Sequence, residues 1–145
     1  MDPRRFLAQA KRLSASSNEE DWRTAVSRAY YAAFHVACDL MTDLGFSVPK
    51  ADRAHGYLWL RLQNCGDLPT EKAGADLKAL RYFRNTADYE LHQQITRSMA
   101  PSAIRWAESI IRALDAAALP PIRSLITTAM KTYEQNVLHD VTWHP

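Results

Sequence analysis

Between residues 77 and 91 the sequence LKALRYFRNTADYEL places Leu77, Leu80, Ala87 and Leu91 on one helical stripe, and Arg84 falls in the middle of it. Burying an unpaired guanidinium costs several kcal/mol, so Arg84 requires an anion, a hydrogen-bonding shell or an open cleft. Asp88, four residues later, can supply that anion within the chain and hold helix register. A phosphate met bidentately is the other answer, because the guanidinium fork matches its oxygens. Spacing leaves both open.

A second polar set lies earlier. At helical periodicity Thr24, Arg28, Tyr31, His35 and Cys38 share one side, opposite the aliphatic residues of the same segment. A solvated face more commonly carries Lys and Glu, so this one predicts a half-buried seam against another helix or a ligand. A tyrosine-rich packing face with satisfied hydroxyls is the alternative.

Other chemistries find less support. The five histidines are scattered, and His35 with Asp39 lacks a third ligand, so no metal site and no cofactor are expected. HExxH, a Gly-rich phosphate loop and a GxSxG elbow are all missing from the sequence. Cys38 and Cys65 read as small core or interface residues rather than nucleophiles. Trp22 and Trp106 fall on apolar stripes, with no interleaved basic residues to make a nucleic-acid platform.

The elements that position these residues are helical. Only four glycines occur, there is no NG or DG hairpin signal, and apolar residues recur at intervals of three and four. The fold class expected is all-α, an up-and-down bundle of five to six helices. The first helix should cover residues 3–14. The second, N-capped by Asn18 with Glu19, Glu20 and Asp21 in its first turn, should run to a C-cap at Gly45. Further helices are expected over 51–64, from after Thr70 to 95 with Leu91 on its inner face, from Pro101 to before Pro120, and over 121–138. The tail HDVTWHP is expected to be mobile.

At 145 residues and 16.5 kDa, with 47% hydrophobic and 23% charged residues, the chain fits a single domain over 1–145. Thirteen arginines against five lysines favour anion recognition, yet a net charge of +2 argues against a general polyanion-binding surface. No segment approaches the roughly 18 apolar residues of a membrane span, and the N-terminal MDPRRFLAQAKRL has no apolar signal core. With two cysteines and no CxxC, a reducing cytoplasmic setting without membrane contact is expected.

The segments AVSRAYYAAFHVACDLM at 25–41 and LKALRYFRNTADYEL at 77–91 resemble the HEPN superfamily, in particular its small stand-alone prokaryotic members with an R-x-x-x-D-Y motif. Arg84, Asp88 and Tyr89 match that motif, and DRAH at 52–55 is similar to the start of the intervening helix, with His55 in it. The matching pieces organise a core of about 20–115, leaving the helix at 121–138 as an addition. The resemblance implies a HEPN-like helical bundle, a homodimer, and a cleft between paired long helices. Many members are metal-independent endoribonucleases, in which an Arg, a following polar residue and a His five positions after the Arg promote attack of a ribose 2′-hydroxyl on the adjacent phosphate. Arg84 and Asn85 match the opening of that pattern, but position 89 is Tyr rather than His. An unperturbed Tyr is a poor base at neutral pH. His92 lies too far along the helix to substitute.

Two readings follow. In the first, RNA or a nucleotide phosphate binds in an Arg84-centred dimer cleft, as in a ribonuclease toxin of a toxin–antitoxin pair neutralised by a nucleotidyltransferase-type antitoxin. Its catalytic candidates are Arg84, Asn85, His35 and Tyr89, with Arg28, Tyr31, Asp88 and His55 as binding residues. In the second, the chain is a non-catalytic helical interaction module in which Arg84 and Asp88 form a structural ion pair. Whether the chain is an enzyme stays open at this point.

Overall fold

The intervals of three and four close into helix throughout the computed structural model, which describes residues 1–145. Six α-helices form: α1 (Arg4–Ser14), α2 (Glu19–Asp43), α3 (Arg53–Leu62), α4 (Leu68–Tyr89), α5 (Met99–Ala117) and α6 (Ile122–Tyr133). A five-residue π-helical turn, Glu134–Leu138, continues α6. The architecture is an all-α bundle without strands, and one isolated antiparallel bridge joins Phe46 to Trp143.

Helix α2 runs through the middle and packs on α1, α3, α4 and α5. Its buried side is unusually small: Ala25, Ala29, Ala32, Ala33 and Ala37 are all fully buried, which lets neighbouring helices approach closely around Tyr30, Phe34 and Met41. Gly74 does the same for α4, where an added Cβ would stand 2.8 Å from the Cβ of Leu62 on α3.

The helix ends differ from expectation in instructive ways. Asn18 occupies the N-cap of α2 with extended backbone, but its side chain makes no capping bond. Glu19 instead accepts from Arg23 Nη2 and from the backbone N–H of Ile95, each at 3.0 Å, and so ties the start of α2 to the segment beyond α4. Ala51 has a φ of 61°, which keeps residues 51 and 52 out of α3.

Helix α4 begins at Leu68 rather than after Thr70, because Asp67 accepts from the Thr70 N–H at 3.2 Å and Pro69 fits the first turn. It ends at Tyr89 rather than 95. There the Arg23 guanidinium donates to the carbonyls of Ala87, at 2.8 Å, and Gln93, giving the chain's exit from the helix its hydrogen-bond partners. Leu91 is consequently 74% exposed, not inward, and Ile95 enters the core in its place.

The tail, expected to be mobile, is fastened. Glu134 is fully buried and its carboxylate accepts from Arg61 Nε at 2.7 Å and from the N–H groups of Thr142 at 2.9 Å and Trp143 at 3.1 Å. Trp143 Nε1 donates to the Leu44 carbonyl at 2.9 Å, and Lys131 Nζ lies 3.5 Å from the Trp143 ring centre. A buried carboxylate collects donors because it has no water to satisfy it, and here the donors belong to the last residues of the chain. No helix is long and apolar enough to cross a membrane.

Candidate functional site

Arg84 is 5% exposed, as its position on the stripe requires. Its Nη2 donates to the Tyr31 hydroxyl at 2.9 Å. Its Nε lies 3.7 Å from Asp88 Oδ2, within Coulombic range but beyond a hydrogen bond, and this fully buried Nε has no hydrogen-bond partner. Asp88 sits at the edge of the bundle and accepts from Ser27 Oγ at 3.1 Å. Three aromatic rings frame the guanidinium, with centres 5.6 Å (Tyr30), 5.1 Å (Tyr31) and 5.8 Å (Tyr89) from its Cζ. Cation–π contacts and one neutral hydroxyl hold the group without neutralising it.

The seam on α2 is half-buried. Arg28 stacks between Phe6 of α1 and Tyr31, 5.0 and 5.2 Å from their ring centres. Tyr31 thus carries Arg28 on its ring and Arg84 on its hydroxyl. His35, one turn on, is exposed and sits among Tyr31, Phe34 and Phe6. Partial burial lowers its pKa from 6.5, and Arg28 adds to this while Asp39 opposes it. The shift favours the neutral imidazole.

His55, in the first turn of α3, is buried. Its Nδ1 shares a 2.5 Å hydrogen bond with the Tyr30 hydroxyl, and its ring stacks on Phe34 with centres 4.6 Å apart. Burial, then the charges of Arg81 and Arg84, push its pKa down to about 4 against a weaker pull from Asp52. His35, His55, Tyr31, Cys38, Lys50 and Asp52 line an open cavity of about 370 Å³, which Arg84 touches only through Tyr31. Desolvation raises the Cys38 thiol to about 12, which removes it as a nucleophile at neutral pH.

Of the eight residues singled out by sequence, Arg84, Tyr31, Asp88 and Tyr89 meet directly, and Arg28 joins them through Tyr31. His35 and His55 share the cavity. Asn85 is half-buried beside Arg84 on α4. Tyr89 is 73% exposed, with only its ring turned to the guanidinium. No three His, Cys, Asp or Glu side chains converge as metal ligands would.

Two residues of this neighbourhood escaped the sequence reading. Tyr30 was hidden among packing residues, although it supplies the His55 partner. Arg81 precedes Arg84 by one helical turn, a spacing that could have drawn notice. Its charge acts on both Tyr30 and His55, and its buried Nε also lacks a partner.

Neither a curated protein nor a solved structure matches the chain. A family model described as "HEPN domain" matches residues 4–117, from the start of α1 to the end of α5, and so contains every residue of the site. By that match the chain belongs to the HEPN domain family.

Proposed function

We propose that the protein binds a phosphate of RNA or of a nucleotide through Arg84, in a cleft completed by a second copy of the chain, and that it cleaves RNA without a metal as the toxin of a toxin–antitoxin pair. The observation that carries this reading is the unmet demand of Arg84: a buried guanidinium whose Nε has no partner and whose carboxylate neighbour stands at 3.7 Å. An incoming phosphate oxygen is the acceptor that would satisfy it. Tyr82 and Tyr89, seven residues apart on α4, are 63% and 73% exposed and offer aromatic area for a second copy to cover.

In the cleavage step, Arg84 stabilises charge on the phosphate and Asn85 orients it. His35 takes the proton of the ribose 2′-hydroxyl as its oxygen attacks phosphorus to give a 2′,3′-cyclic phosphate, and the departing 5′ oxygen takes a proton from the Tyr89 hydroxyl or from water. His35 is the better acceptor, since its lowered pKa favours the neutral imidazole. A nucleotidyltransferase-type protein is the partner expected to neutralise such an activity.

A second reading is favoured by one contact. Ser27 on α2 donates to Asp88, which lies near Arg84, so the three could fix α2 against α4 and serve only architecture. Incubation of the protein with structured and single-stranded RNA in excess EDTA, beside Arg84→Gln, separates the two. Cleavage or binding by the unmodified chain alone supports the phosphate site. No binding by either, with a lower midpoint of unfolding in Arg84→Gln, supports architecture. Sedimentation should return a mass twice 16.5 kDa.

A further inference from the structure

Six of the thirteen arginines have a carboxylate partner. Arg4 meets Asp115, Arg23 meets Glu19, Arg61 meets Glu134 and Arg123 meets Asp43. Half-buried Arg28 and Arg81 have no carboxylate within 4.0 Å and no side-chain hydrogen bond, and of these two only Arg81 has a fully enclosed Nε without a partner. Its one close companion is the Trp59 ring of α3, whose centre lies 5.5 Å from Cζ. Lys78, one turn earlier on α4, points its ammonium at the same ring from 5.7 Å.

Arg81 and Arg84 are three residues apart, so their side chains leave the same face of α4 from Cβ atoms about 5–6 Å apart. The Arg84 guanidinium lies 5.6 Å from the Tyr30 ring centre, Tyr30 is hydrogen-bonded to His55, and the charges of both arginines act on that pair. Asp88 lies on the Arg84 side, and Asp52, whose charge also acts on His55, is the other carboxylate nearby. Two guanidiniums with buried, unpartnered Nε atoms and a lysine against two exposed carboxylates leave a local positive excess. A single phosphate can satisfy Arg84; it leaves Arg81 as it was.

We propose that Arg81 is a second anion-binding residue, so that the Arg84 site takes a ligand with two phosphoryl groups, one on each guanidinium. This rests on the phosphate reading of Arg84 and extends it. The ligand chemistry is that of two neighbouring phosphates, found in a 5′-phosphorylated oligoribonucleotide and in a nucleoside polyphosphate. Lys78 lies on the Arg81 side, where it adds attraction toward the second phosphate.

The test is calorimetric titration at fixed ionic strength with the dinucleotides UpU and pUpU, inorganic phosphate and pyrophosphate, using the full chain, Arg81→Gln and Arg84→Gln. The unmodified chain is expected to bind pUpU about tenfold more tightly than UpU, the size of one charge-assisted contact. Arg81→Gln should reduce that ratio to about two while leaving UpU binding within about threefold, and should flatten the salt dependence of pUpU binding by about one contact. Arg84→Gln should lose UpU. Pyrophosphate bound as tightly as pUpU, with the same dependence on Arg81, identifies a polyphosphate ligand; preference for pUpU identifies an RNA end. A ratio unchanged by Arg81→Gln, with UpU still dependent on Arg84, overturns the second residue and keeps the first. Absence of binding by every ligand overturns both. Thermal unfolding without ligand provides a separate check: Arg81→Gln should unfold at the same or a higher temperature, because it removes an unpaired charge, whereas a structural arginine would show a loss.

Discussion

The strongest partner of the buried Arg84 guanidinium is a neutral oxygen: Nη2 donates to the Tyr31 hydroxyl at 2.9 Å, while the nearest carboxylate stays at 3.7 Å. Tyr31→Phe removes that acceptor and leaves a second guanidinium nitrogen unsatisfied. The expected loss is about 1–3 kcal/mol, read from the urea midpoint. It should shrink in excess inorganic phosphate compared with chloride at equal ionic strength, because a phosphate oxygen gives the stranded nitrogen of the variant an acceptor that the Tyr31 hydroxyl already gives the unmodified chain. An unchanged midpoint would mean that the hydroxyl contributes nothing to holding the charge.

His55 sets a pH dependence. Its folded pKa of about 4 lies below the ordinary 6.5, through burial first and the charges of Arg81 and Arg84 second. Between those values the unfolded chain holds a proton that the folded chain does not, so stability falls as pH drops from 6.5 toward 4. Below the folded value His55 adds no further loss. NMR titration of the His55 ring should give a midpoint near 4, and His55→Phe should flatten the 4–6.5 portion of the stability curve. A ring titrating near 6.5 would mean that His55 is not buried as described.

How much of this was legible beforehand depends on the range of the interaction. The Leu77, Leu80, Ala87 periodicity placed Arg84 on the buried side because helix geometry repeats locally. The i,i+4 spacing likewise announced Asp88, though not the 3.7 Å that keeps the pair from closing. Long-range partners were legible only where two polar faces could be matched, as for Tyr31 and Arg84, and even there the bonds between them were not. Nothing near residue 91 reveals that Arg23, on another helix, ends α4 at Tyr89, and nothing in HDVTWHP reveals that Glu134 binds its backbone. Tyr31 and Arg84 are 53 residues apart, and only the packing of α2 on α4 makes them partners.

The two thiols should be inert. Burial raises Cys38 to about 12 and Cys65 to about 11, so almost no thiolate is present near neutral pH. Iodoacetamide at pH 7.5 is expected to label neither at an appreciable rate in the native protein, and both after unfolding in urea. Rapid native labelling of Cys38 would show that the cavity wall it lines opens to solvent more than its burial allows.

The Arg61–Glu134 pair governs the tail. Both side chains are almost fully enclosed, Nε donates to Oε2 at 2.7 Å, and the Arg61 guanidinium lies 3.6 Å from the Tyr57 ring centre. Glu134→Leu leaves buried Arg61 only the exposed Asp140 carboxylate, 3.6 Å from its Nη2, at an expected cost of up to about 3–5 kcal/mol, and frees the Thr142 and Trp143 N–H groups. Hydrogen exchange at those two amides should then accelerate. The double variant Arg61→Met with Glu134→Leu should be less destabilised than Glu134→Leu alone, since no charge is stranded, yet its tail amides should still exchange quickly. Acid should act through the same carboxyl. Burial raises its pKa, but the hydrogen bonds from Thr142 and Arg61 and the Arg61 charge together outweigh this and hold it below 4.5. A folded value depressed in this way gives stability that is present above pH 4.5 and lost as pH falls through the lower folded value. Tail-amide protection should fade only below pH 4.5, after most of the His55 loss has occurred, and protection that collapses near pH 6 would take control of the tail away from Glu134.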